Sequence, residues 1–149
     1  MLLGAHLMAG AAAGEYINNP YLAFAAGFIL HFILDAVPHF DTTDDNKFTF
    51  RQIALISVDG IIGLLIFFVC YRQFSVHKIS FLAGALGGIV PDIIDNVPFW
   101  QKIIKNNKFG KKFHSFHAWV QSIKVAPIPG IAVQYLIIAI TVLILIKLK

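Results

Sequence analysis

The stretch His31-Phe32-Ile33-Leu34-Asp35-Ala36-Val37-Pro38-His39-Phe40-Asp41 closes an apolar run that begins at Tyr21. His31 and Asp35 are about one helical turn apart, so a helix projects both from one face, as two ligands of a single ion must. Pro38 does not continue that helix and turns His39 and Asp41 back over the same mouth. Carboxylates and imidazoles in apolar surroundings cost several kcal/mol each unless they pair or bind metal. The stretch therefore predicts an apolar helix that ends in a metal site.

The rest of the chain has the same two ingredients. Its 149 residues are 58% hydrophobic and 13% charged, the latter about half the roughly 25% of soluble domains. This predicts one integral membrane domain over residues 1–149, an all-α polytopic helix bundle. Five apolar segments are the expected helices: Leu2–Ile17, Tyr21–Val37, Phe50–Tyr71, Ile79–Ile94 and Ile128–Ile146, with a surface-lying connection before the last. Several fall short of the ~20 residues that cross a bilayer without strain. Asn18, Asn19 and Pro20 make a tight break, predicting a hairpin of the first two helices. The first segment lacks a basic leader and carries His6, so it is expected to be retained and not cleaved as a signal peptide. Gly10 and Gly14, like Gly84 and Gly88, are spaced four apart for close helix contact.

Charge and cysteine usage exclude other classes. The net charge of +4 sits in lysine clusters between apolar segments, which argues for anionic headgroups and against nucleic acid as partner. Cys70 is the only cysteine, so neither a disulfide framework nor a cysteine zinc site is available. Lys47, Arg51 and the lysines from Lys102 to Lys124 flank the connections on the N-terminal side, against Arg72, Lys78, Lys147 and Lys149 opposite. The richer side is expected to be cytoplasmic.

The ligand-type residues map to that same side. His6 lies in the first turns of the first helix, and Asp92 and Asp95 end the fourth, in Gly87-Gly88-Ile89-Val90-Pro91-Asp92-Ile93-Ile94-Asp95. His114 and His117 follow in Phe113-His114-Ser115-Phe116-His117, another pair one turn apart. Asp59, about 13 Å down its helix, is expected to form the floor of the pocket. The expected metal set is thus His6, His31, Asp35, His39, Asp59, Asp92, His114 and His117, with Asp59 and Asp92 allowed a supporting role behind the ligands. Asp41 and Asp95 are the candidate catalytic carboxylates, and Lys105, Lys108, Lys111 and Lys112 the candidates for holding an anionic headgroup. Phe99, Trp100 and Trp119 read as interfacial anchors.

Taken together, His6, His31-x3-Asp35-x2-Pro38-His39, Gly88-x2-Pro91-Asp92-x2-Asp95 and Phe113-His114-x2-His117 resemble the membrane-bound metal-dependent hydrolase family, distant relatives of the zinc-dependent phospholipases C. The late His-Arg-x2-Thr-His motif common in that family is absent, and the second Asp of the Pro-Asp element comes one residue late. The resemblance implies a helical membrane protein in a bacterial or archaeal plasma membrane, a His/Asp metal centre and hydrolysis of a phosphoester, with phospholipid a possible substrate. Mixed His and carboxylate ligation suits zinc, as one ion or more, with manganese or iron as alternatives. Two further readings stand beside it: a small ion or metal transporter, since intramembrane Asp and His also mark ion pathways, and a metal-stabilised noncatalytic scaffold.

Overall fold

The computed structural model describes residues 1–40, 49–96, 103, 104 and 106–148. Among them are six helices: α1 (Leu3–Ile17), α2 (Pro20–Asp35), α3 (Phe50–Gln73), α4 (Lys78–Asn96), α5 (Lys108–Val120) and α6 (Pro127–Leu148). Local chemistry sets most of their ends. Asn18 closes α1 in the left-handed conformation at φ 50°, which Asn tolerates better than most residues. Asn19 then accepts the N–H groups of Tyr21 and Leu22, both at 3.1 Å, and Pro20 fills the first position of α2, where its missing N–H costs nothing. Thr49 and Gln52 form a reciprocal capping box at the start of α3. Asn107 accepts Gly110 N–H at the start of α5.

α1 is the hub. It packs against α2, α3, α4 and α6, and it is buried along most of its length, from Gly4 to Glu15. Contact with α4 is backbone to backbone. A Cβ at Gly10 would collide with the Gly84 carbonyl oxygen, and one at Gly27 of α2 would meet that same carbonyl. Small residues let membrane helices approach this closely and gain van der Waals contact that lipid cannot match.

Among the described residues six helices stand where five apolar ones were expected, the additional one being α5 in the connection before α6. α1 and α2 are among the segments expected to fall short of a full crossing. Three helices, Gln52–Gln73, Lys78–Asn96 and Pro127–Leu148, are long and apolar enough to cross a membrane. α1 and α2 have 15 and 16 residues, about 22–24 Å at 1.5 Å per residue, short of a hydrocarbon core of about 30 Å. α1 is covered chiefly by neighbouring helices. α3 and α6 instead turn apolar side chains outward, among them Leu65, Phe68, Leu136 and Leu143, as lipid-facing helices do.

The largely buried start of α1 needs partners for its first N–H groups, because Leu2 has no side-chain cap to offer. Neighbouring helices supply them. Leu2 N–H donates to Gln134 Oε1 at 2.9 Å, and Gly4 N–H donates to Asp59 Oδ2 at 2.8 Å. Gln134 also donates to the Phe40 carbonyl at 2.8 Å, tying residues 36–40 to α6. These contacts gather the start of α1, the segment after α2 and the N-terminal halves of α3 and α6 at one end of the bundle, where Gly88 of α4 also packs against His6. Glu15 closes the other end, accepting Ser75 Oγ–H at 2.9 Å and the N–H groups of Val76 and His77 at 2.7 and 3.1 Å. The sole glutamate is spent on the α3–α4 turn, at the opposite end of the bundle from His6, His31 and His117.

Candidate metal centre

His31 and Asp35 both turn inward from α2 and are fully buried. His31 Nε2 lies 3.1 Å from Asp35 Oδ2. α5 brings His117, whose Nε2 is 3.0 Å from His31 Nε2 and 3.0 Å from Asp35 Oδ2. α4 brings Asp92, with Oδ1 3.8 Å from His31 Nε2 and 3.7 Å from His117 Nε2. One ligand atom from each of these four residues lies within 4.8 Å of all the others. Tetrahedral ligands at bond lengths of about 2.0–2.2 Å stand about 3.3–3.6 Å apart, so the four can close on one ion with small adjustments. The group can hold a metal.

The remote ring nitrogens make that donor set specific. His31 Nδ1–H donates to the Gly88 carbonyl at 2.7 Å, and His117 Nδ1–H donates to Asp95 Oδ2 at 3.1 Å. Each bond keeps the ring proton on Nδ1 and turns the Nε2 lone pair to the centre. The α4 sequence explains the first of them. Pro91 lies inside the helix, where it has no N–H for the Gly87 carbonyl and crowds the preceding turn. The Gly88 carbonyl belongs to that turn, and its neighbour Gly87, where a Cβ would collide with the Phe24 carbonyl, lets the turn come close to α2.

Two imidazole lone pairs facing each other across 3.0 Å need a shared positive charge. A proton on His117, which lies on α5 outside the candidate spans, partly meets that need. Burial pulls the His117 pKa down, but its hydrogen bonds to Asp35 and Asp95 outweigh burial and push it up to about 9. A divalent cation meets the same need with more charge and releases the proton.

A second layer orients the ligands. Asp35 Oδ1 accepts His6 Nε2–H at 3.0 Å and the Met1 nitrogen at 2.7 Å, while Oδ2 accepts Gln121 Nε2–H at 2.8 Å. The His6 ring also stacks on His31 at a centroid separation of 4.0 Å. Asp95 is shared by two histidines, with His114 Nδ1 at 2.8 Å from its Oδ1. Asn96 Nδ2–H donates to Asp92 Oδ1 at 3.0 Å. Phe32 packs its ring on Phe113, Phe116 and His117, seating α5 on α2.

Of the eight expected ligands, then, four converge: His31, Asp35, Asp92 and His117. His6 supports Asp35 from behind. His114 stands on Asp95, with its side chain 39% exposed. His39 is buried outside the group, with Nδ1 2.7 Å from the Val37 carbonyl and its own carbonyl accepting Val125 N–H at 3.1 Å. Asp59 holds the start of α1. Asp41 and Lys105 lie outside the described residues. Lys108, Lys111 and Lys112 are exposed on α5, whereas Gly110 and His117 are its buried residues, so these lysines point away from the centre. Sequence reasoning missed Gln121 and Asn96, although His117-x3-Gln121 and Asp92-x3-Asn96 follow the same one-turn spacing as His31 and Asp35. Asp92, with its side chain 16% exposed, forms the open edge; those of His31, Asp35 and His117 are at 0–1%.

Comparison with family models, curated proteins and solved structures returns no match for this chain.

Proposed function

We propose that this protein is a membrane-embedded, metal-dependent hydrolase of phosphoesters, with phospholipid as substrate class and zinc as first-choice ion. One observation carries the reading: two Nδ1-anchored imidazoles and two carboxylates converge at the end of an apolar bundle, with one open edge at Asp92. A divalent ion held by His31, Asp35 and His117, with the more exposed Asp92 yielding its position or the ion expanding to five ligands, would supply Lewis acidity toward a phosphoryl oxygen and lower the pKa of a bound water to about 7.

The side chains divide the remaining tasks. Substrate enters past Asp92, since the other three ligands are sealed from solvent. Asp95 has its oxygens engaged by His114 and His117, which suits it to orienting rings better than to taking a proton itself. His114, aimed by Asp95 and half-exposed, accepts the proton of the attacking water as the new P–O bond forms. It returns that proton to the leaving oxygen as the old P–O bond breaks. A carrier needs ionisable groups along its full depth, whereas the far end offers Glu15, already committed to Ser75 and the N–H groups of Val76 and His77, and otherwise groups at helix ends such as Arg72 and Lys78.

The test is turnover. Zinc-loaded protein in lipid nanodiscs should release phosphate or a phosphorylated headgroup from a panel of phosphoesters, and chelation, His31→Ala or Asp35→Ala should abolish the release. A folded, metal-loaded wild type that is inert on the whole panel would favour a metal-stabilised scaffold.

A further inference from the structure

α5 has one face that the metal centre uses and another that it does not. Gly110 and His117 are buried, while Lys108, Lys111, Lys112, Phe109, Phe116 and Trp119 are exposed. At about 100° per residue, Lys108, Lys112 and Trp119 lie opposite His117, with Phe109 and Phe116 along one flank and Lys111 on the other. A helix with this mixture of exposed aromatics and lysines matches the interface of an anionic bilayer, where rings enter the headgroup region and ammonium groups meet phosphates.

We propose that α5 is docked on the anionic phospholipid leaflet at the metal-centre end of the bundle. Two independent observations select that occupant. The first is charge: no acidic residue occurs anywhere after Asp95, while Lys102, Lys105, Lys108, Lys111, Lys112 and Lys124 crowd the segment between α4 and α6. Lys108, Lys111 and Lys112 are exposed on α5, a helix that carries no acidic residue of its own. The second is depth. His117 bonds to Asp35, the last residue of α2, and to Asp95, next to the last residue of α4. α5 is thereby held where α4 ends and shortly before α6 begins, which is the headgroup level once α3, α4 and α6 are taken as membrane spans. The inference rests on that membrane reading and is independent of any hydrolysis. It gives the lysines a role different from holding substrate, since they face away from the centre. They fix the height of the site, so that its Asp92 edge opens among headgroups.

The chain has two tryptophans, so Trp100→Phe leaves Trp119 as the sole reporter in the full-length protein. Nanodiscs are prepared from brominated phosphatidylcholine alone or with added brominated phosphatidylglycerol. Trp119 emission should be quenched severalfold more strongly with phosphatidylglycerol, and high salt should erase the difference. Lys108→Gln, Lys111→Gln and Lys112→Gln together should also erase it, each lysine near such a surface contributing roughly a fivefold factor. Circular dichroism and zinc content, measured on the same samples, report fold and metal centre separately from docking. Equal quenching in the two lipids would overturn the anionic preference. Unquenched Trp119 emission in both would overturn docking itself and assign this face to water or to a protein partner. The lipid comparison in the Trp100→Phe protein stands even if the triple lysine variant fails to fold.

Discussion

Asp35 sits at the centre of the charge balance. Its carboxylate meets His6, His31, His117, Gln121 and the Met1 nitrogen, so its neighbours present more donors than a bare ion pair requires. Loss of His31 or His117 by mutation to Ala removes an Nε2 ligand and should reduce bound zinc to background, measured by elemental analysis of detergent-purified protein. Asp95→Asn spares the four ligands but loosens His117, and should weaken zinc binding by about 10–100-fold without changing helix content. pH provides a third test. The folded apo-protein holds His117 protonated up to about 9, above the ordinary 6.5. That contribution to stability is fully present below 6.5 and fades as pH rises through 9. Zinc needs the neutral ring, so the thermal stabilisation given by added zinc should grow between pH 6 and 9. A zinc-induced shift in unfolding temperature that fell over that range would contradict His117 as a ligand.

At the scale of elements, close helix contact makes some glycines irreplaceable and leaves others free. Gly84→Ala puts a methyl group into the Gly10 carbonyl, and overpacking of this kind costs about 1–3 kcal/mol or more. Gly60→Ala meets only Leu3 Cδ2 at 3.8 Å and should be neutral or stabilising by up to about 1 kcal/mol, as Ala is the better helix former. Denaturant titrations of the two variants should diverge in sign or nearly so. Periodicity explains why parts of the site are legible in sequence. Spacing of three or four residues says which side chains share a face, and it marks His31 with Asp35, and Asp92 with Asp95. It does not say which neighbour a face meets. Hence Asp59 reads as a pocket floor but caps α1, and His6 reads as a ligand but braces Asp35. The lysines of α5 are a different case, because their turn away from His117 is already present in the spacing.

For the whole molecule, composition and segment lengths reveal an all-helical bundle with apolar outward faces and the motif residues gathered at one end. They do not reveal that α1, the first segment met, is the shielded hub, because Gly10, Gly14 and Gly84 signal closeness without naming the partner. Three helices long and apolar enough to span a membrane, two shorter helices and α5 bring His31, Asp35, Asp92 and His117 together at one end. The most direct measurement is the zinc absorption edge and fine structure of purified, zinc-loaded protein, with stoichiometry taken on the same sample. About one tightly held ion per chain with two imidazole nitrogens and two carboxylate oxygens at about 2.0–2.2 Å, lost in Asp35→Ala and His117→Ala, is the predicted result. Zinc that binds substoichiometrically, or with the same shell in both variants, would contradict a metal centre built on His31, Asp35, Asp92 and His117.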